Sequence, residues 1–341
     1  MHRNKWIYSL TGLLLVLTLL VGACTPAAET TPKEQTLTIY SGRGESLVAP
    51  IIDQFSKTTG IKVQVRYGST SEMAATILEE GRNSPADVFF AQDPGGLGAV
   101  ESLLMPLPES ILNQVPPKFR SPAGTWVGIS GRARVVVYNT QKLKEADLPD
   151  DIWDFTDSKW QGRIGWAPTN GSFQAMVTAM RVLWGEEKTR QWLKGIQSNN
   201  PKVYPGNTQI VTAVGAGEVE VGFPNHYYLY TFLRDKGESF PVRNYYVRAG
   251  GPGAVILVSG AGILQTSKNQ DAAQRFLNFL LSPVGQQYFA SQTFEYPVIE
   301  GIITHRLLAP LADIKSPEIS MADMADLKGT LSLLRETGIV P

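Results

Sequence analysis

The stretch WVGISGRARVVVYNT, residues 126–140, decides the architecture of this chain. It is long and rich in β-formers, and period-two alternation puts Arg132, Arg134, Val136 and Tyr138 on one face. A segment of this kind can cross between two lobes, and the sequence on either side has the pattern of α/β units. Before it, an alternating strand at Leu37–Tyr40 stops at a Ser-Gly-Arg-Gly loop, and a helical run covers Leu47–Phe55. IKVQVRY alternates as a second strand, a helix follows at about Glu72–Glu80, and ADVFFAQD contains a short apolar strand suited to a buried parallel sheet. After it come a strand at Arg163–Trp166, helices at Ser172–Trp184 and Glu186–Gly195, a strand at Val203, a helix at Thr208–Ala216 and the strand VEVGF. AVILVSGAGILQTS then reads as a strand pair going back to the first lobe, and amphipathic helices at Gln270–Leu281 and Pro283–Ala290 finish the compact part.

The expectation is therefore an α/β protein with a first lobe at residues 36–130, a second at 131–250, and a return to the first lobe with C-terminal helices at 251–341. The β crossovers would form a hinge and leave a cleft between the lobes. Open α/β sheets take ligands outside the carboxyl ends of their strands. The loops expected there are YSGRGE, FFAQD, APTNGSF, YPGNT and FPNHYY.

The N-terminus carries a different message. Arg3 and Lys5 precede an apolar run from Trp6 to Val21, which reads as a secretory signal over residues 1–23 rather than a membrane span. Val21, Gly22, Ala23 and Cys24 resemble the bacterial lipobox, in which the cysteine is lipidated and becomes the mature N-terminus. Residues 24–35 show no periodicity and read as a flexible tether. Cys24 is the only cysteine, so its lipidation leaves neither a disulfide nor a thiolate, and the fold must hold by burial alone. Roughly 300 mature residues are enough for that. Removing Arg3 and Lys5 from 31 basic residues leaves 29 against 31 acidic ones, a net charge of −2, and no basic stripe exists to meet nucleic acid.

FPNHYYLYTF, residues 223–232, sets a histidine and three tyrosines in five consecutive positions. Asn225 is expected to cap a helix beginning at His226. Neighbouring helical residues point about 100° apart, so Tyr227 and Tyr228 cannot both face the core. In the first turn both phenols can reach the cleft, beside the positive end of the helix dipole, which favours a phenolate. Tyr230 and Phe232 are expected to pack. Phenolate oxygen suits a hard trivalent cation, ferric iron above all, and two phenolates leave an octahedron incomplete. Asn170, Gly171, Ser172, Asn207 and Asn225 are candidate donors for an anion that would complete it. Amphipathic packing of the tyrosine pair is the competing reading.

The segments TIYSGRGE, SPADVFFAQD, WVGISGRARVVVYNT, RIGWAPTNGSFQAMV, NHYYLY, GPGAVILVSGAGIL and SKNQDAAQRFLNFLLSPVGQQYFA together resemble the bacterial periplasmic ferric-ion-binding proteins. These are the transferrin-like substrate-binding components of ABC-type iron importers, and the likeness spans nearly the whole mature chain. It implies a periplasmic binding protein type II fold and Fe(III) held by Tyr227 and Tyr228. It also implies a synergistic anion, such as carbonate or phosphate, among Asn170, Gly171, Asn207 and Asn225, with Ser172, Arg132 and Arg43 near enough to join. The partners it implies are a permease and its ATPase, served by a monomer held outside the cytoplasm through Cys24. Two positions depart from the pattern. Many relatives carry a histidine after the first strand, where this chain has Gly44 and Glu45, and some carry a glutamate ligand where it has Gln92. Glu45 and Gln92 are therefore the first-lobe candidates for the metal, the alternative being two tyrosines, anion and water.

Catalysis lacks a footing, because only His226 and His305 remain after signal removal and no P-loop or nucleophile elbow occurs. Two other classes remain as alternatives: the same scaffold carrying an oxyanion or small organic anion, and a cell-surface enzyme or adhesion module.

Overall fold

A computed structural model describes residues 35–341; the signal segment, Cys24 and the tether up to residue 34 lie outside the described residues. The first elements are β1 (Thr36–Ser41), α1 (Glu45–Thr59), β2 (Lys62–Tyr67), α2 (Thr70–Glu80), β3 (Val88–Ala91), α3 (Pro94–Ala99) and α4 (Glu109–Leu112). The predicted crossover resolves into β4 (Trp126–Ala133) and β5 (Val136–Asn139). There follow β6 (Ile164–Trp166), α5 (Gly171–Trp184), α6 (Glu186–Ser198), β7 (Lys202–Val203), α7 (Asn207–Gly215), β8 (Val221–Gly222), α8 (Tyr227–Lys236) and β9 (Val242–Tyr245). The chain ends with β10 (Ile256–Ile263), α9 (Gln270–Leu281), α10 (Pro283–Gln292) and α11 (Leu327–Glu336).

Two five-stranded sheets result, ordered β2-β1-β3-β10-β4 and β7-β6-β8-β5-β9. They share one plan. β1 lies parallel between β2 and β3, and β6 lies parallel between β7 and β8. An antiparallel strand follows in each sheet: β10 against β3 and β4, and β5 against β8 and β9. β4 and β5 thus belong to different sheets although only Arg134 and Val135 separate them. Their N–H groups divide in the same way, Arg134 donating to Val255 O at 3.0 Å and Val135 to Pro224 O at 3.2 Å.

AVILVSGAGILQTS proves to be a single strand, β10, rather than a pair. Its glycines resemble a turn in sequence but serve close packing: a Cβ at Gly260 would stand 2.7 Å from Leu97 Cδ1. The sequence reading also passed over β9, whose VRNY carries two charged or amide side chains and little apolar signal.

Each sheet has its own core. In the first, Phe55 is fully buried against Phe276 and Phe279, with ring centroids 5.1 and 5.5 Å away. In the second, Trp160, Trp192, Phe155 and Phe223 interlock. α11 carries the end of the chain onto this second core, burying Leu333 and Leu334 there. Thr330 bonds Thr178 of α5 at 2.7 Å and Asp326 pairs with Arg181 at 2.8 Å, which ties α11 to the second lobe, while Met321 and Met324 just before it pack in the first core, so residues 251–341 do not return to the first lobe alone.

Phe55→Ala should therefore destabilise the protein by about 3–5 kcal/mol, the usual cost of a cavity left by a buried phenylalanine. Urea unfolding checks it, and a loss below about 1 kcal/mol would mean that α1 is not the clamp on this core.

Candidate metal and anion site

The second-lobe half of the cleft is built at the N-termini of three helices. α8 starts just beyond β8, and its first two residues are the tyrosine pair. The rings of Tyr227 and Tyr228 stack at 4.3 Å with 27° between planes, which sets the phenols side by side. Tyr227 is wholly buried and its hydroxyl has no hydrogen-bond partner. Burial, and after it the neighbouring Tyr228, pushes the Tyr227 phenol well above its ordinary pKa. Tyr228 is half-buried and lines a cavity of about 520 Å³ with Ser46, Leu47, Thr208, Arg234 and Tyr288.

Asn225 does not cap α8. Its Oδ1 accepts from Arg134 Nη1 at 3.0 Å instead, and His226 takes the boundary position. His226 Nδ1 accepts the Ala133 N–H at 3.1 Å, so its proton sits on Nε2, which donates to Phe294 O at 2.9 Å. The ring stacks on Tyr296 at 4.8 Å. With both nitrogens committed to backbone, His226 is a strut between β4 and the segment after α10.

Arg134 is the hub that sequence reasoning missed. Its Nη1 donates to Ser172 Oγ at 3.2 Å as well as to Asn225, and its Nη2 bonds Phe223 O. Ser172 Oγ donates to Asn170 Oδ1 at 2.6 Å. Asn207 Nδ2 reaches Asn170 Oδ1 at 3.2 Å and Ser172 Oγ at 3.1 Å. Four of the five anion candidates are thereby joined around one guanidinium, at the first turns of α5 and α7. Burial, then the neighbouring Arg132 charge, lowers Arg134 to about 9, which leaves it cationic at neutral pH. The available signal was its alternation with Arg132 on a strand that otherwise carries no charge.

The first-lobe half is also cationic. Arg43, in the loop after β1, lies 5.9 Å from the Tyr227 ring centroid and pairs with Glu295, both side chains fully buried. Burial opposes the Arg43 charge, but the Glu295 carboxylate, helped by the two tyrosines, more than offsets it and holds the guanidinium raised. Glu295 also accepts from Ser130 at 2.5 Å and Thr293 at 2.9 Å. Arg132, at the end of β4, donates to Val258 O at 3.0 Å. Nε and Nη1 of both Arg43 and Arg132, Nε of Arg134 and Nδ2 of Asn225 are buried without partners. Such donors are costly to bury unmatched and fit an oxygen-rich anion. Asp93 caps α3 through Gly96 N at 3.3 Å and presses on the second lobe, where a Cβ on Gly171 would stand 2.4 Å from its Oδ2. Gly171 thus permits the lobes to close here.

Glu45 is exposed in the first turn of α1 on the side of Tyr67, whose phenol is raised by burial first and then by Glu45. Gln92 is buried at the end of β3, its N–H donating to Thr70 Oγ1 at 3.0 Å. Among the described residues no hydrogen bond or ring contact joins either one to the tyrosine pair.

The model of the family described as bacterial extracellular solute-binding protein matches residues 50–316. The major ferric iron-binding protein of Neisseria meningitidis is 36% identical over 326 residues, covering 94% of this chain and 97% of its own. Iron-bound HitA from Pseudomonas aeruginosa superposes with a TM-score of 0.85 at 38% identity, covering 89% of this chain and 99% of that one. A Trichodesmium protein in complex with iron and citrate ligands superposes with a TM-score of 0.73 at 29% identity over 89% of this chain and 99% of that one. The chain belongs to the bacterial extracellular solute-binding proteins, in the group that the ferric iron-binding proteins represent. Its fold is the two-lobed periplasmic binding protein type II fold, and it is a binding protein and not an enzyme.

Burial drives two groups of the site in opposite senses. It lowers His226 to about 4, so between about 6.5 and 4 the unfolded chain binds the extra proton and stability falls as pH falls. It raises Asp93 to about 6, so between about 6 and 3.8 the folded chain binds the extra proton and stability rises as pH falls. The two nearly offset. Asp93→Asn removes the gain, and the iron-free variant should lose about 3 kcal/mol more than the parent between pH 7 and pH 4 in urea titrations. Parallel pH profiles would show that Asp93 is not held toward its neutral form.

Proposed function

We propose that this protein captures Fe(III) outside the cytoplasm and hands it to the permease of an ABC-type importer with its ATPase. Tyr227 and Tyr228 ligate the metal as phenolates. A synergistic oxyanion, carbonate or phosphate, lies among Asn170, Gly171, Ser172, Asn207, Asn225, Arg132 and Arg43, with Arg134 at the centre of that set. The protein works as a monomer anchored by a lipid on Cys24. One observation carries the reading: a fully buried phenol without a partner, stacked on a second phenol, faces a cluster of guanidinium groups. A tyrosine hydroxyl buried for packing usually finds an acceptor, and although Tyr204 and Tyr246 also lack one, Tyr227 alone of these stacks on a second phenol beside buried guanidinium groups.

The relatives support the cargo. The meningococcal protein is named for ferric iron, and the HitA structure holds iron. The Trichodesmium structure adds citrate, which supports an organic oxyanion as an alternative complement to the metal. A second reading, an oxyanion or small organic anion carried without metal, draws on the same unpartnered arginines but leaves the Tyr227 hydroxyl unexplained. Among the described residues neither Glu45 nor Gln92 bonds to the tyrosine pair, so two tyrosines, anion and water make up the proposed shell.

Adding ferric citrate to residues 35–341 should produce an orange-red tyrosinate-to-iron charge-transfer band, and Tyr227→Phe and Tyr228→Phe should each abolish it. No band in the parent protein would move the metal-free anion to first place. Each phenol must release a proton on coordination, so iron affinity should fall by about 100-fold per pH unit as pH drops. An affinity that does not change with pH would exclude phenolate ligation.

A further inference from the structure

Among the described residues, no first-lobe carboxylate or imidazole bonds to or stacks on Tyr227. What this lobe presents is Arg43, 5.9 Å from that ring, and Arg132 beside it, two guanidinium groups that cannot coordinate a cation. The carboxylate closest to hand, Glu295, is used up: Arg43 and Thr293 occupy Oε1, and Ser130 occupies Oε2. Its position is fixed by the backbone around it. Gly131 and Tyr296 exchange both their hydrogen bonds, at 2.6 and 2.9 Å, while His226 holds the Phe294 carbonyl. Two nitrogens on each of Arg43 and Arg132 remain buried without an acceptor.

On the reading that the cargo is iron with an oxyanion, we propose that the first lobe grips this cargo through its anion and not through its metal. Arg43, fixed by Glu295, and Arg132 form a cationic face that closes on the second lobe only when a divalent oxyanion lies between, and Glu295 sets the charge that the anion must bring.

Simple counting supports it. Arg43, Arg132 and Arg134 bring three positive charges, and Glu295 and Asp93 bring two negative ones, a balance of +1. Fe(III) with two phenolates adds 3 − 2 = +1. Closure over iron alone would therefore bury a charge of +2 in a space shut off from water, where like charges repel far more strongly than in solvent. A divalent oxyanion cancels it and supplies acceptors for the unpartnered N–H groups; a monovalent one leaves the site cationic. Iron alone would thus bind the second lobe with the cleft open.

The test uses residues 35–341, which form one compact unit containing both cores. Ferric chloride is added in argon-purged, phosphate-free buffer, followed by excess inorganic phosphate, with charge-transfer absorbance and radius of gyration measured at each stage. The band is expected with iron alone, while compaction waits for phosphate and does not follow nitrate or perchlorate. Compaction by iron alone, or equally by a monovalent anion, overturns the proposal while leaving the band and the ferric reading intact. Absence of a band at both stages overturns the ferric reading itself. Glu295→Gln keeps the shape of the Arg43 contact and removes one negative charge, so a divalent anion leaves the closed site at +1 and compaction should need several-fold more phosphate. An unchanged phosphate midpoint in a folded variant would show that Glu295 does not set the charge.

Discussion

Three guanidinium groups buried where the lobes meet are the constraint to which the rest of this structure conforms. Taking an ion out of water costs several kcal/mol even after relaxation, and the penalty is met only by good geometry around it. Arg43 therefore has a carboxylate at full burial, Arg132 has a carbonyl of β10, and Arg134 has a carbonyl and two side chains. These partners come from Phe223, Val258 and Glu295, all far along the chain, so satisfying the arginines also fixes how the two sheets meet. What is left over is two guanidinium nitrogens on each of Arg43 and Arg132 and one on Arg134 without acceptors, the groups that the proposed anion would meet.

The crossover was legible because it depends on local chemistry. WVGISGRARVVVYNT alternates, has no breaker but glycine, and ran into a second pattern of strands; the sheets follow from that and from right-handed routing. The tyrosine pair was legible for a similar reason, since two adjacent phenols at the first turn of a helix cannot both be core. Arg134 and Glu295 were not legible. Arg134 looks like any charge on an alternating strand until the loops of Asn170, Asn207 and Asn225 arrive around it. Glu295 meets Arg43 across 252 residues of sequence, a pairing that no period or motif announces. Asn225 misled in the opposite direction: its residue type is right for a helix cap, but a buried guanidinium is a stronger claimant on its carbonyl oxygen than a half-formed helix end.

The helix termini and the arginines act together. α5, α7 and α8 begin beside the cluster of Asn170, Asn207 and Asn225, and each N-terminus contributes partial positive charge. Added to the guanidinium groups, this field stabilises phenolate over phenol once burial has made the phenol reluctant to ionise. Burial works against the bare phenolate of Tyr227, and the surrounding charge works for it. On the proposed function a trivalent cation decides that contest, and without it the phenol stays protonated.

Strain marks the place where closure is recorded. Among the described residues Phe294 is one of two non-glycine residues at positive φ, at 58°, a conformation that costs about 1–3 kcal/mol and persists only when its surroundings over-determine it. They do so here: His226 holds its carbonyl, Tyr296 is bridged to Gly131 on the crossover strand, and Glu295 between them is tied to Arg43. The residue that precedes the tyrosine pair and the residue that anchors the first-lobe arginine therefore meet on one strained turn. That turn bonds at once to the crossover strand, to the residue that begins the tyrosine helix and to the first-lobe arginine. On the proposed function, a cargo that neutralises the arginines would relieve repulsion on one side of this turn while the phenols hold the other, which would couple the site to the contact between the lobes.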